Sequence, residues 1–146
     1  MINDSPAYIL GKLAFELDRA GDQLLQADVG ISYRRFLFLT VLQYRGTVTQ
    51  HELAVALGYS DPAVSTMLVE LATDGYIQVT KSPEHARKRL VTITPQGNEV
   101  VAQGRRLLDA RFDQLMQDAG VDAQHYRELT ERIYQALIAK RKKEQL

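Results

Sequence analysis

Lys81, Arg87, Lys88 and Arg89 fall within nine positions of the sequence and meet one acid, Glu84. Cationic side chains gathered in this way suit phosphate oxygens, and an arginine can also enter a narrow groove of enhanced negative potential. A solvated loop would carry the same charge run, so both readings stand. A second set is neutral. Ala63, Ser65, Thr66, Val69 and Thr73 share the outward side of a helical stretch once Val64, Leu68 and Leu71 turn inward. Hydroxyls can bond base edges or phosphates, and small apolar groups suit a thymine methyl. An ordinary solvated helix face has a similar composition. Arg34 and Arg35 are further cations that surface ion pairs would explain nearly as well. Metal chemistry has little support. His125 and Glu128 stand three positions apart on one helix, but two ligands fall short of the three or four a metal site needs. There is no cysteine, no Gly-x-Ser-x-Gly and no phosphate-cradling glycine loop, so neither an enzyme nor a cofactor is expected.

These residues sit in a chain of 146, with 45% hydrophobic and 25% charged side chains. That is one domain's length and an ordinary globular balance, which excludes disordered and fibrous classes. The absence of cysteine excludes a disulfide framework and a thiol redox switch. No apolar run approaches the roughly 20 residues of a membrane span, and no basic region precedes an apolar block at the N-terminus. The expectation is a soluble cytoplasmic protein without a membrane partner. Net charge is zero, from 18 basic and 18 acidic groups, which taken alone argues against a nucleic-acid partner. The distribution is uneven. Residues 1–29 hold two basic and five acidic groups, residues 30–97 seven and five, and residues 98–146 nine and eight.

The elements that position the charged and hydroxyl groups can be read from caps and periodicity. Ser5-Pro6 opens a first helix with Ile9, Leu13, Leu17, Leu24 and Leu25 at helical spacing, and Gly30 ends it. Ser32 caps a second, whose apolar side is Phe36, Leu37, Leu39, Val41 and Leu42, and Gly46 closes it. Thr49-Gln50-His51-Glu52 has the form of a capping box, and Gly58 supplies a left-handed C-cap after Leu57. Ser60-Asp61-Pro62 starts the next helix within three residues, and Gly75 stops it. A short helix, a tight glycine-containing turn and a longer helix make a helix-turn-helix. Ile77 and Val79, then Val91 and Ile93, alternate with polar residues around the basic loop, which makes a β-hairpin and hence a wing. Thr94-Pro95 caps a long helix ending at Gly120, in which Gly104 is expected to cost about 1 kcal/mol relative to alanine. Asp122 caps the last, with Tyr126, Leu129, Ile133 and Leu137 along one side. The stripes of the terminal helices are too apolar for a chain of this size to cover alone, so Ile9, Leu13, Leu129, Ile133 and Leu137 are expected to pack in a homodimer.

Three segments resemble the multiple antibiotic resistance regulator (MarR) family. Thr49-Gln50-x-Glu52-Leu53-Ala54-x-x-Leu57-Gly58 is similar to that family's first helix-turn-helix helix. Val64-Ser65-x-Met67-Leu68-x-x-Leu71-x-x-x-Gly75-Tyr76-Ile77 resembles its recognition helix and exit strand. Arg87-x-x-x-Val91-x-Ile93-Thr94-Pro95-x-Gly97 resembles the second half of its wing signature. The sequence departs from the family at His85, which stands where the wing signature has Asp. It departs again between Asp61 and Gly75, where there is no Lys or Arg.

The resemblance implies a mainly α, α+β fold: a winged helix-turn-helix core with a two-stranded β-wing, flanked by N- and C-terminal helices that form a dimerisation region. It places a single MarR-like domain over 1–146, with residues 31–97 binding DNA and residues 1–30 and 98–146 dimerising. The DNA-facing set is then Thr49, Gln50, Ser60, Ala63, Ser65, Thr66 and Val69 on the recognition helix and its support, with Lys81, Arg87, Lys88 and Arg89 on the wing. The implied partner is double-stranded DNA carrying an inverted-repeat operator. The implied activity is transcriptional regulation, usually repression, relieved by a small aromatic or apolar ligand near Tyr8, Phe15, Tyr33 and Tyr44. A winged-helix protein-interaction module that has lost DNA binding is the alternative, motivated by the uncharged-to-acidic recognition helix.

Overall fold

Proline and glycine set where the helices begin and end. The computed structural model describes residues 5–144. Its elements are α1 (Pro6–Asp28), α2 (Tyr33–Arg45), β1 (Val48–Thr49), α3 (Gln50–Leu57), α4 (Asp61–Thr73), β2 (Ile77–Lys81), β3 (Arg89–Ile93), α5 (Pro95–Ala119) and α6 (Ala123–Glu144). Proline stands at the start of α1, where its missing N–H has no helical partner to lose. Ser5 precedes it, but its hydroxyl makes no capping bond, contrary to the sequence expectation. The other caps form as expected. Ser32 accepts from the Arg35 N–H, Ser60 from the Ala63 N–H, and Asp122 from the His125 N–H. At Gly58 the backbone takes φ 67° and ψ 29°, the left-handed conformation that lets α3 stop in one residue.

The chain forms two units, one through Leu108 and one from Asp109. In the first, α2, α3, α4 and the sheet enclose one apolar cluster. Phe38, Leu39, Leu42, Leu53, Val64, Leu71 and Val91 are fully buried in it. Each such side chain contributes about 1.5–3 kcal/mol by leaving water. Phe38 was not assigned to the core by periodicity; it follows from packing that wraps α2 on more than one side. The sheet has the order β1-β3-β2, all antiparallel. The wing hairpin is the expected two strands, with Val79 opposite Val91 and Lys81 opposite Arg89. The short β1, unforeseen because two residues carry no periodicity, pairs Val48 with Val91 and makes the sheet three-stranded. It ties the wing to the residue before α3.

Two glycines are explained by what lies against them. A Cβ on Gly97 would overlap the Tyr76 carbonyl oxygen and lie 2.7 Å from Ile93 Cγ1, so only glycine lets the start of α5 close on the end of the hairpin. A Cβ on Gly104 would lie 2.5 Å from Phe36 Cε2 and 3.0 Å from Leu25 Cδ2. The expected helix-propensity penalty at Gly104 is therefore outweighed by close packing of α5 on α1 and α2. In the second unit, the rings of Phe112 and Tyr126 pack with their centres 6.0 Å apart and their planes tilted by 48°, joining α5 to α6. No residue of α6 is buried, and no helix among the described residues is long and apolar enough to cross a membrane.

Both Gly97→Ala and Gly104→Ala should destabilise the protein, by about 1–3 kcal/mol each, as overpacked sites do. Urea unfolding measures this; a Gly104→Ala variant more stable than wild type would show that propensity outweighs packing there. The capping box of α3 supplies a pH prediction. The backbone N–H and hydroxyl of Thr49 hold the Glu52 carboxyl below its ordinary 4.5. A depressed folded value means the stabilisation is present above 4.5 and lost as pH falls through the folded value. The stability gap between wild type and Glu52→Gln should then be widest at neutral pH and shrink on acidification; a gap constant from pH 7 to about 3 would contradict it.

Candidate nucleic-acid interface

The wing tip is built by backbone bonds. The Lys88 N–H donates to the His85 carbonyl at 2.9 Å, closing a turn with Ala86 and Arg87 at its centre. The Ser82 N–H donates to the Lys88 carbonyl at 2.8 Å. These bonds hold the loop, and no ion pair joins Glu84 to Arg87 among the described residues. The Arg87, Lys88 and Arg89 side chains are exposed. They line one side of a concavity of about 500 Å3 whose other side is Thr49, Gln50, His51, Glu52 and Asp61. Fold contacts thus bring the wing against the starts of α3 and α4, residues separated from it by about thirty positions in sequence.

Hydrogen bonds sort the expected DNA-facing residues by what they have left to offer. The Thr49 hydroxyl donates to Glu52 Oε2 at 2.9 Å and accepts from the Glu52 N–H, so it serves the cap. Gln50 Nε2 donates to the Asp61 carbonyl at 3.3 Å, joining α3 to the start of α4. The Ser60 hydroxyl accepts from the Ala63 N–H at 3.4 Å and keeps its own proton to donate. Thr66 donates to the Pro62 carbonyl at 3.2 Å, which leaves its methyl and lone pairs outward. Val69 is 62% exposed, Ser65 and Ala63 half-buried. Met67, on the same helix, is buried and faces the core.

Acidic charge near α4 is partly compensated. Asp61 lies 3.5 Å from His51 Nδ1 and shares the concavity with the wing cations. Asp74 pairs with Arg35. Arg34, the neighbour of Arg35, instead lies with its guanidinium carbon 4.4 Å above the centre of the Tyr59 ring. Sequence reasoning missed His51, Asp61 and Tyr59 as neighbours of the site, because each is placed there only by the helix-turn-helix packing.

The aromatic residues expected around a ligand are dispersed. Tyr8 and Phe15 lie exposed on α1, and Tyr44 at the end of α2 is 91% exposed. Tyr33 is half-buried and stacks on Phe36 at 6.4 Å; burial foremost, and the Asp18 carboxylate after it, push its phenol above the ordinary 10.0. Ile9, Leu13, Leu129, Ile133 and Leu137, expected at a dimer contact, are all exposed on this single chain.

Residues 29–88 match a family model described as MarR family. Among named relatives, an uncharacterized HTH-type transcriptional regulator of Bacillus subtilis, YdgJ, is 30% identical over 81 residues, 56% of this chain and 49% of its own length. The chain therefore spans about half the length of that relative. The multiple antibiotic resistance protein MarR of Salmonella typhimurium is 29% identical over 97 residues, covering 64% of this chain and 67% of that one. Among solved structures, a mutant MarR from E. coli superposes with a TM-score of 0.78 at 20% identity, over 91% of this chain and 96% of that one. The transcriptional repressor CouR, bound to a 23-mer DNA duplex, superposes at 0.81 and 21% identity, over 94% of each chain. The MarR family model thus matches this chain from the end of α1 to the wing tip, 60 of its 146 residues, and the winged-helix fold of solved MarR structures matches over nine-tenths of its length.

Proposed function

We propose that the chain is a dimeric, sequence-specific DNA-binding transcriptional regulator, acting as a repressor whose grip on DNA is relieved by a small ligand. The observation that carries the DNA-binding part is the convergence of Arg87, Lys88 and Arg89 on the starts of α3 and α4. In a helix-turn-helix the N-terminal part of the recognition helix enters the major groove. Cations beside that end meet the flanking phosphates or the adjacent minor groove. Thr66 and Val69 then offer methyl groups and hydroxyl lone pairs to base edges. The solved complexes of a MarR mutant with operator DNA and of CouR with its duplex support the same use of this fold.

The interaction-module alternative drew on the acidic recognition helix. Part of that acidity is answered within the fold, because Asp74 pairs with Arg35. Dimerisation is supported by apolar surface. Tyr8, Ile9, Leu10 and Leu13 on α1, and Leu129, Ile133, Tyr134 and Leu137 on α6, are left open to water. Apolar patches of this kind on a soluble domain mark contact surfaces. Residues 31–97 would then bind DNA while residues 1–30 and 98–146 dimerise, and a two-fold dimer would read an inverted repeat with half-sites about 10 base pairs apart. The ligand part rests on the family's habit and on the aromatic residues Tyr8, Phe15, Tyr33 and Tyr44.

A salt-dependent anisotropy titration on DNA from around its own gene tests the reading. Wild type should bind, and Arg87→Ala should weaken binding by about 1–3 kcal/mol per wing. The same variant should make the log K against log salt slope shallower by about 1 per subunit. No binding by wild type at low salt would instead favour the interaction module. Sedimentation velocity tests assembly: wild type should run with the mass of two chains, and Ile133→Asp should shift it toward one. Wild type running as a single chain at micromolar concentration would remove the dimer.

A further inference from the structure

We propose that Arg34 is a second phosphate contact of the helix-turn-helix, held toward the DNA backbone by the ring of Tyr59. The inference rests on the reading that the chain binds DNA. Arg34 and Arg35 are indistinguishable in sequence, yet the fold treats them oppositely. Arg35 is half-buried and paired with Asp74, just past the C-terminal end of α4, so its charge is matched by a carboxylate of the protein. Arg34 is exposed, and among the described residues no carboxylate lies within 4.0 Å of it. Its guanidinium carbon is 4.4 Å above the Tyr59 ring centre. A stacked guanidinium has one face covered while its N–H edge stays free to fork onto phosphate oxygens.

The ring is itself anchored. Tyr59 is half-buried against the apolar cluster, and its N–H donates to the Ala54 carbonyl at 3.0 Å. It occupies the turn between α3 and α4, one residue before the Ser60 cap. Arg34 is therefore held over a residue of the turn that leads into α4, the helix whose N-terminal end enters the groove in this motif. The wing cations meet the same end through Asp61. With no Lys or Arg on α4 itself, Arg34 and the wing supply the positive charge around it.

The test is anisotropy of the full chain across a salt series on two duplexes of about 30 base pairs, long enough for two half-sites one turn apart. One duplex is of generic sequence and the other comes from upstream of its own gene. Arg34→Gln should weaken binding to both about equally, roughly tenfold near 0.1 M salt, and flatten the salt slope by about 1 per subunit. Arg34→Lys, which keeps the charge, should retain the wild-type slope. Arg35→Gln should leave the slope alone, because its partner is Asp74. A wild-type slope for Arg34→Gln on both duplexes, alongside a flattened one for Arg87→Ala, would overturn the inference and leave DNA binding standing. Failure of wild type to bind either duplex at low salt would overturn DNA binding and this inference with it.

Discussion

Burial of one side of α4 orients the other. Val64, Leu68 and Leu71 lie in the same cluster as Phe38, Leu39 and Leu42 of α2 and Val91 of β3. A close-packed interior has few alternative arrangements, so the angle of α4 about its own axis is set from within. Ser65, Thr66 and Val69 point where they do because their neighbours one position away are committed to the core. Val91 also belongs to the wing, and its pairing with both Val48 and Val79 makes the hairpin part of the same packed body. The recognition helix and the wing are therefore held relative to each other by one apolar cluster and one narrow sheet.

Charge is arranged on top of that frame. The chain carries no net charge, and α4 has acids and no bases. Asp74 is matched by Arg35, and Asp61 faces His51 and the wing cations. Exposed ion pairs contribute little to stability, so their value here lies in where they leave uncompensated charge. Among the described residues, the cations left without a carboxylate partner include Arg87, Lys88 and Arg89 across the concavity from Asp61, and Arg34 above Tyr59 in the turn before α4. Overall neutrality and a local basic surface are compatible because screening limits each charge to roughly 8–10 Å at ordinary ionic strength.

Hydroxyls follow a similar economy. Thr49, Ser60 and Thr66 were grouped with the DNA-facing residues by type and position. Thr49 and Ser60 satisfy helix N-termini, and Thr66 bonds to its own preceding turn. Thr49, Ser60 and Thr66 thus serve first to hold the helices on which Val69 and the Thr66 methyl stand exposed.

Helix starts and stops were legible in the sequence because they are local: a serine or threonine bonds an N–H three residues on, and a glycine permits a positive φ, wherever the rest of the chain goes. Ser32, the Thr49–Glu52 box, Gly58, Ser60 and Asp122 all behave so. The alternation through Ile77, Val79, Val91 and Ile93 made the wing legible for the same reason. What only the tertiary structure decided involves residues far apart along the chain. Gly104 reads as a weak point in a helix until Phe36 and Leu25 are seen against it, and β1 exists only because β3 is there to pair with it. Arg34 and Arg35 differ solely in which distant side chain each meets, Tyr59 or Asp74. Periodicity and capping carry no information about such meetings, since they depend on how the helices pack rather than on how any one of them forms.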